Sequence, residues 1–64
     1  MKTYRVKTCF GLEYEHITVF FNVNTRWRNI GERNGYIRLN RDNVFVDVTR
    51  EQIRKFMVEL KEQI

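Results

Sequence analysis

The chain has 64 residues and a formal net charge of +4, with one cysteine, one histidine and no alanine, serine or proline. This length makes one domain, residues 1–64, whose own core should supply no more than about 3–5 kcal/mol of stability. The composition excludes an internal disulfide, a four-ligand zinc site and a membrane-spanning apolar segment.

Two further expectations follow from size and composition. Short domains often gain stability from a second subunit, so we expect a homodimer. The first residues lack the apolar region of a signal peptide and the single thiol is typical of a reducing compartment, which predicts a cytoplasmic protein.

The first two predicted strands cover residues 2–10 and 14–23, where apolar and polar side chains alternate. Glycine at the first position of the 11–12 pair favours a two-residue hairpin turn. That turn would place Val6 opposite Ile17, so that the two apolar faces coincide. A four-residue loop would also place the apolar residues of the two strands on the same face.

The next segment, residues 24–35, is rich in asparagine and glycine, and turn chemistry dominates it. Residues 25–30 form either a short strand or part of an irregular excursion of about ten residues, and the residue pattern leaves both readings open.

Alternation returns in the predicted strands 36–40 and 43–48. A reversal at Arg41-Asp42 would place Leu39 opposite Val44, and Ile37 opposite Val46, in a second hairpin.

The period changes from two to 3.6 after Thr49, which predicts a helix over residues 50–63. Thr49 and Gln52 match a capping box at its start. One apolar stripe follows on this helix, formed by Ile53, Phe56, Met57, Leu60 and Ile64.

These elements predict an α+β fold with the order ββ(β)ββα. Two hairpins would form a small antiparallel sheet of four strands, or five with residues 25–30, and the C-terminal amphipathic helix would pack on one face.

Alternation then assigns each strand residue to one face of the sheet. The inner face, under the helix, would hold Tyr4, Val6, Ile17, Val19, Phe21, Ile37, Leu39, Val44, Val46 and Val48. The opposite face would hold Thr3, Arg5, Lys7, His16, Thr18, Phe20, Tyr36, Arg38, Phe45 and Asp47. This face, which no helix covers, would carry three large rings, and they have three explanations. They form a dimer contact, they form a nucleic-acid-binding surface, or they are isolated surface residues or are covered by residues 24–35.

The positive charge is local. Residues 26–41 hold five arginines against one acid, and their surplus of four equals the net charge of the whole chain. Arginine makes planar, bidentate contacts with phosphate or carboxylate. The candidate binding residues are Arg26, Trp27, Arg28, Arg33, Tyr36, Arg38 and Arg41, and the candidate dimer contact or free sheet face adds Arg5, Lys7, Phe20 and Phe45. The tryptophan could equally anchor the core, and the arginines could simply be solvated.

Catalysis has little support in the sequence. Cys9 and His16 would be diagonal neighbours in the two-residue hairpin, but no oxyanion hole or orienting carboxylate accompanies them. We therefore expect a protein that is not an enzyme and that holds no metal and no cofactor.

The small size and basic, single-domain character resemble those of phage and prophage accessory proteins, which implies a non-enzymatic role. The sequence thus predicts a small basic binding module with nucleic acid as its first partner. The alternative is a homodimeric protein-interaction or inhibitory module that docks on an acidic protein surface.

Overall fold

Two antiparallel sheets and one short helix make up the described part of the chain, residues 2–61 of a computed structural model. The elements are β1 (Thr3–Val6), β2 (Phe10–Glu13), β3 (Thr18–Phe21), β4 (Arg26–Arg33), β5 (Tyr36–Arg41), β6 (Val44–Thr49), α1 (Arg50–Phe56) and β7 (Met57–Leu60). A five-stranded sheet has the order β6-β5-β4-β1-β7, and β2 pairs with β3 alone. The predicted combination of antiparallel strands with one helix is confirmed, but the division into five and two strands differs from the predicted four-stranded sheet.

The sequence did not decide whether residues 25–30 form a strand. Residues 26–30 are part of β4, which extends through Arg33. The register between β4 and β5 shifts between Asn29 and Gly31, so Ile30 is the extra residue of a β-bulge. Asn34 and Gly35 then form a two-residue turn with φ of 54° and 82°, the left-handed values that a tight hairpin requires.

The second predicted hairpin exists with a shifted register. Leu39 pairs with Val46 and Ile37 with Val48, not with Val44 and Val46 as expected. The turn falls one residue later than expected because Asp42 takes the left-handed conformation, with φ of 53°. The shift is an even number of residues along β6, so the buried and exposed faces of both strands stay as predicted.

The prediction of a hairpin between the first two strands is wrong. β1 pairs with β4 and β7 instead of with the strand that follows it, and Gly11-Leu12 lies inside β2. After Val6 the chain bends, and the backbone N–H groups of Lys7 and Thr8 donate to the carbonyl of Phe56 instead of extending the ladder. Val6 therefore never faces Ile17, which lies in the turn between β2 and β3.

The helix begins as predicted and ends early. Thr49 and Gln52 form both hydrogen bonds of the capping box. The helix ends at Phe56, and Met57–Leu60, predicted to be helical, form β7 because β1 offers them a free edge for pairing. Residues 62 and 63, the end of the predicted helix, and Ile64 of its predicted apolar stripe lie outside the described residues.

One core lies between the five-stranded sheet, helix α1 and the β2–β3 hairpin. The buried residues are Tyr4, Val6, Phe21, Trp27, Ile37, Leu39, Val46, Val48, Ile53 and Met57. The helix alone is too short to cover the sheet, so the hairpin shares this role: the ring of Phe10 stacks between those of Phe21 and Phe56, with centroids 4.3 and 4.4 Å away. Ile17 and Val44, predicted to be inner residues, are exposed because they lie at a hairpin turn and a strand end.

Within residues 2–61, no helix has the length and apolarity needed to cross a bilayer.

Candidate functional site

The surface of the five-stranded sheet that faces away from the core, hereafter the outer face, is defined by strand pairing. Residues that are directly opposite in adjacent strands point to the same side. The outer face carries Thr3, Arg5, Arg26, Arg28, Gly31, Arg33, Tyr36, Arg38, Asn40, Phe45, Asp47, Thr49, Val58 and Leu60. Asp47 is the one carboxylate among these strand residues of the described chain, so the face is strongly cationic.

Arg5 on β1 lies directly opposite Arg26 on β4. Side chains in such positions start about 5 Å apart, and like charges there repel each other. Arg5 donates to the side-chain oxygen of Asn24 at 3.1 Å, which orients its guanidinium but does not neutralise it. An anion between the two arginines would relieve the repulsion.

Arg28 lies between Thr3 and Asn40 in the adjacent row of the outer face. Arg26, Arg28 and Arg41 surround a depression of about 270 Å³, which Thr3 and Asn40 also line. Within residues 2–61 none of these three arginines has an ion-pair partner. Asp42 also lines the depression, which therefore combines three cationic side chains and one carboxylate with hydroxyl and amide groups. The excess of arginine over carboxylate suits phosphate.

Arg38 and Asp47 face each other across β5 and β6 and form a bidentate ion pair, with nitrogen–oxygen distances of 3.0 and 3.3 Å. Hydrogen bonding from Arg38 holds the pKa of the Asp47 carboxyl below its ordinary value, and the same contact raises the pKa of Arg38. The pair is solvent-exposed, so its planar guanidinium and its remaining acceptor positions are accessible to a ligand.

A second depression, of about 360 Å³, lies between this ion pair and the β4–β5 turn. Its walls include Ile30, Arg33 and Tyr36. Arg33 and Tyr36 are cross-strand partners, and the Tyr36 side chain is 52% exposed. The bulge at Ile30 turns an apolar side chain towards the same depression. The lining therefore combines an aromatic ring, an aliphatic wall, two guanidinium groups and the carboxylates of Glu32 and Asp47.

The structure gathers most of the predicted binding residues. Arg26, Arg28, Arg33, Tyr36 and Arg38 share the outer face, and Arg41 borders it. Trp27 is separated from them: it points inward, is 3% exposed and lies 4.6 Å from the Phe21 ring, while its indole N–H donates to Thr25. The alternation of Trp27 with the charged side chains on either side of it was the sequence signal for this burial.

The predicted dimer contact or free sheet face is divided between two places. Arg5 and Phe45 lie on the outer face, and Phe45 is 61% exposed. Lys7 lies in the bend after β1, and Phe20 projects from the β2–β3 hairpin on the side away from the core. The outer face therefore carries two large exposed rings rather than three.

Cys9 and His16 do not form a pair. Cys9 is exposed and precedes β2, whereas His16 lies in the turn at the far end of the hairpin. Among residues 2–61, no group of three or more histidine, cysteine, aspartate or glutamate side chains is arranged to hold a metal ion.

Sequence reasoning missed Ile30 and Asn40, which line the two depressions. The glycine beside Ile30 was an available signal, since glycine inside a strand often marks a bulge. Asn40 had no comparable signal, because its position beside Arg28 depends on a pairing register between distant residues.

Searches against protein-family models, curated proteins and solved structures give no match for this chain.

Proposed function

We propose that this protein is a small non-enzymatic module that binds nucleic acid through the outer face of its five-stranded sheet. The observation that carries the proposal is the clustering of arginines without ion-pair partners on or beside one face, within residues 2–61. They are Arg5, Arg26, Arg28, Arg33 and Arg41.

Charge geometry favours a polyanion over a single small anion. The arginines are spread over β1, β4 and the end of β5, in rows that are about 7 Å apart along a strand. A chain of phosphates can meet several rows at once, whereas one small anion meets only one. Exposed Tyr36 and Phe45 add aromatic faces on which bases can stack.

The direct test is titration of a fluorescently labelled oligonucleotide with the protein, followed by anisotropy at several salt concentrations. Non-specific binders reach dissociation constants of about 10⁻⁴ to 10⁻⁶ M at physiological salt, so binding should be evident with tens of micromolar protein at about 50 mM salt. If each of the five arginines contacts one phosphate of a single strand, log K should fall with log salt with a slope of about −3.5. Absence of binding at low salt would refute the proposal.

A double variant tests whether the outer face is responsible. Arg26→Gln with Arg28→Gln removes two contacts and should reduce the steepness of the salt slope by about 1.4. Arg54→Gln with Lys55→Gln is the matched control, because it removes the same charge from the exposed side of α1. Equal effects of the two double variants would show only a response to net charge.

A second candidate, a protein-interaction module, is favoured by the edge of β6. This strand pairs only with β5 in the described sheet, and Val44 and Phe45 on it are exposed next to Tyr14 and Ile17. An extended segment of a partner could add to such an edge. The candidate predicts no oligonucleotide affinity and a loss of partner binding when Phe45 is replaced by proline. Val44 closes the β5–β6 turn opposite Arg41, so the N–H of the next residue is the one directed to the open edge.

The homodimer stays a prediction, and light scattering over a range of concentrations checks it. A dimer that buries Phe45 would compete with oligonucleotide for the outer face, so its dissociation constant should rise when oligonucleotide is added.

A further inference from the structure

The two depressions on the outer face have different chemistry, although both contain arginine. The first, beside Arg26, Arg28 and Arg41, is lined mainly by polar side chains. The second, beside Tyr36, has an aromatic ring and an aliphatic side chain as walls and the Arg38–Asp47 ion pair beside them. Different parts of one ligand should therefore occupy them.

The charge balance of the second depression argues against a phosphate there. Its two arginines are matched by two carboxylates, Glu32 and Asp47, whereas the first depression has three arginines against the single carboxylate of Asp42. Asp47, whose pKa is lowered, is ionised at neutral pH and would repel a phosphate group placed in the depression that it lines. A nucleobase meets no such penalty: its face can stack on Tyr36 or on the guanidinium plane of Arg38, and its edge can donate to the free acceptor positions of Asp47. The volume, about 360 Å³, is at the lower end of the range for small-ligand sites, which suits one base rather than a larger ring system.

The distance between the depressions suits one strand of nucleic acid. Tyr36 and Asn40 are four residues apart on β5, so they are about 13 Å apart along the strand. A base in the second depression thus leaves the phosphates of the same short segment within reach of Arg28 and Arg26.

Only an unpaired base can take this position. In a duplex each base is stacked on both faces and presents only its edges, in the grooves. Stacking on a protein ring requires a base that has left the helix or was never in one.

We propose that the depression beside Tyr36 takes one unpaired base of a single-stranded nucleic acid, while Arg26, Arg28 and Arg41 hold its phosphates. This inference rests on the proposed function and adds the class of ligand and the place of its base.

The experiment compares three labelled probes at one salt concentration: a single-stranded oligonucleotide, the duplex of the same sequence, and the single strand with abasic sites in place of its bases. Wild-type protein should bind the single strand more tightly than either of the others. Tyr36→Leu should weaken single-strand binding by about 5- to 150-fold, the range found when a stacking ring is removed. It should leave the duplex affinity and the salt slope unchanged.

One further variant tests the depression, and two control variants outside it show whether the effects are specific. Phe20→Leu removes a ring that is 70% exposed on the β2–β3 hairpin, and it should leave single-strand binding unchanged. Ile30→Glu adds a carboxylate to the depression wall and should weaken single-strand binding more than duplex binding. Ile17→Glu adds the same charge at the hairpin turn, where the side chain is 61% exposed, and should affect both probes only slightly.

Failure of this inference differs from failure of the proposed function. If oligonucleotides bind with the expected salt slope but Tyr36→Leu and Ile30→Glu affect single strand and duplex equally, the base site is refuted and the arginine surface stands. If neither the single strand nor the duplex binds at low salt, both proposals fall.

Discussion

Replacing Phe21 by leucine tests the packing of the two layers, because this ring joins the β2–β3 hairpin to the five-stranded sheet. Phe21 is fully buried, lies 4.3 Å from the Phe10 ring with an interplanar angle of 6°, and lies 4.6 Å from Trp27. Leucine keeps most of the apolar area but loses both aromatic contacts, each of which stabilises by about 0.5–1.5 kcal/mol beyond area burial. The expected loss is therefore about 1–3 kcal/mol, a large part of the 3–5 kcal/mol available to a domain of this size.

The assay is urea unfolding followed by the fluorescence of Trp27, the only tryptophan in the chain. Thermal unfolding should give a midpoint lowered by roughly 10 °C for a loss of about 2 kcal/mol. Phe20→Leu is the matched control, since it makes the same change at the adjacent residue, which is 70% exposed. This control should change the free energy of unfolding by no more than about 0.5 kcal/mol.

Equal destabilisation by the two variants would contradict the arrangement of the hairpin. The result would mean either that Phe20 also packs against the core or that a second subunit covers it. Repeating the Phe20→Leu measurement over a range of protein concentrations separates these cases, because only stability that comes from a subunit contact depends on concentration.

Three further substitutions test other features of the fold. Thr49→Ala removes the hydroxyl that accepts a backbone N–H of α1 at 3.1 Å, and urea unfolding should show a loss of about 0.5–2 kcal/mol; an unchanged midpoint would show that the helix does not depend on this cap. Arg38→Gln should lower stability at neutral pH by removing the ion pair with Asp47. Because the pKa of Asp47 is lowered in the folded state, the stability from this pair is complete above the ordinary value of 3.8 and is lost as pH falls through the lowered pKa. The difference between wild type and variant should therefore shrink below that pH, and a constant difference would contradict the assignment. Gly35→Ala forces a side chain into a turn with φ of 82° and should cost about 1–2 kcal/mol, whereas Gly11→Ala, whose added Cβ would lie 3.5 Å from the Phe20 ring, should have little effect; similar losses at both glycines would refute the turn assignment.

The parts of the fold that depend on local pattern were predictable. Strict alternation in β5 and β6 gave the correct inner residues except Val44, which is exposed at the start of β6, and the turn between the strands was placed one residue early. The capping box at Thr49 marked the start of α1. In both cases the deciding interactions lie within a few residues along the chain, where the pattern is visible.

The parts that depend on distant pairing were not predictable. β1 lies between β4 and β7, and nothing in the alternation of residues 2–10 distinguishes those partners from the strand that follows. Met57 and Leu60 fit a helical stripe and an extended strand equally well, and hydrogen bonding to β1 decides between the two. The bend at Lys7 and Thr8, which directs the chain away from a simple hairpin, is likewise fixed by the carbonyl of Phe56.

The candidate site likewise has a part that local sequence predicted and a part that depends on distant strand pairing. A surplus of arginine in residues 26–41 indicated a cationic surface, and β4 and β5 indeed carry most of it. Alternation had already placed Arg5 on the free face, and it also signalled that Trp27 points away from its charged neighbours. The position of Arg5 directly opposite Arg26 required the pairing of β1 with β4, which no local pattern shows.

The position of β1 also has a consequence for how the protein folds. Its second neighbour, β7, comes more than 50 residues later, with Thr3 paired to Leu60. During synthesis one edge of β1 stays open until almost all of the described chain has emerged, and closing so long a loop is slow because its entropy is lost before its contacts form. The nascent chain should therefore be most prone to aggregation just before β7 appears, and a partner that shields that open edge would speed its maturation without contacting the finished surface.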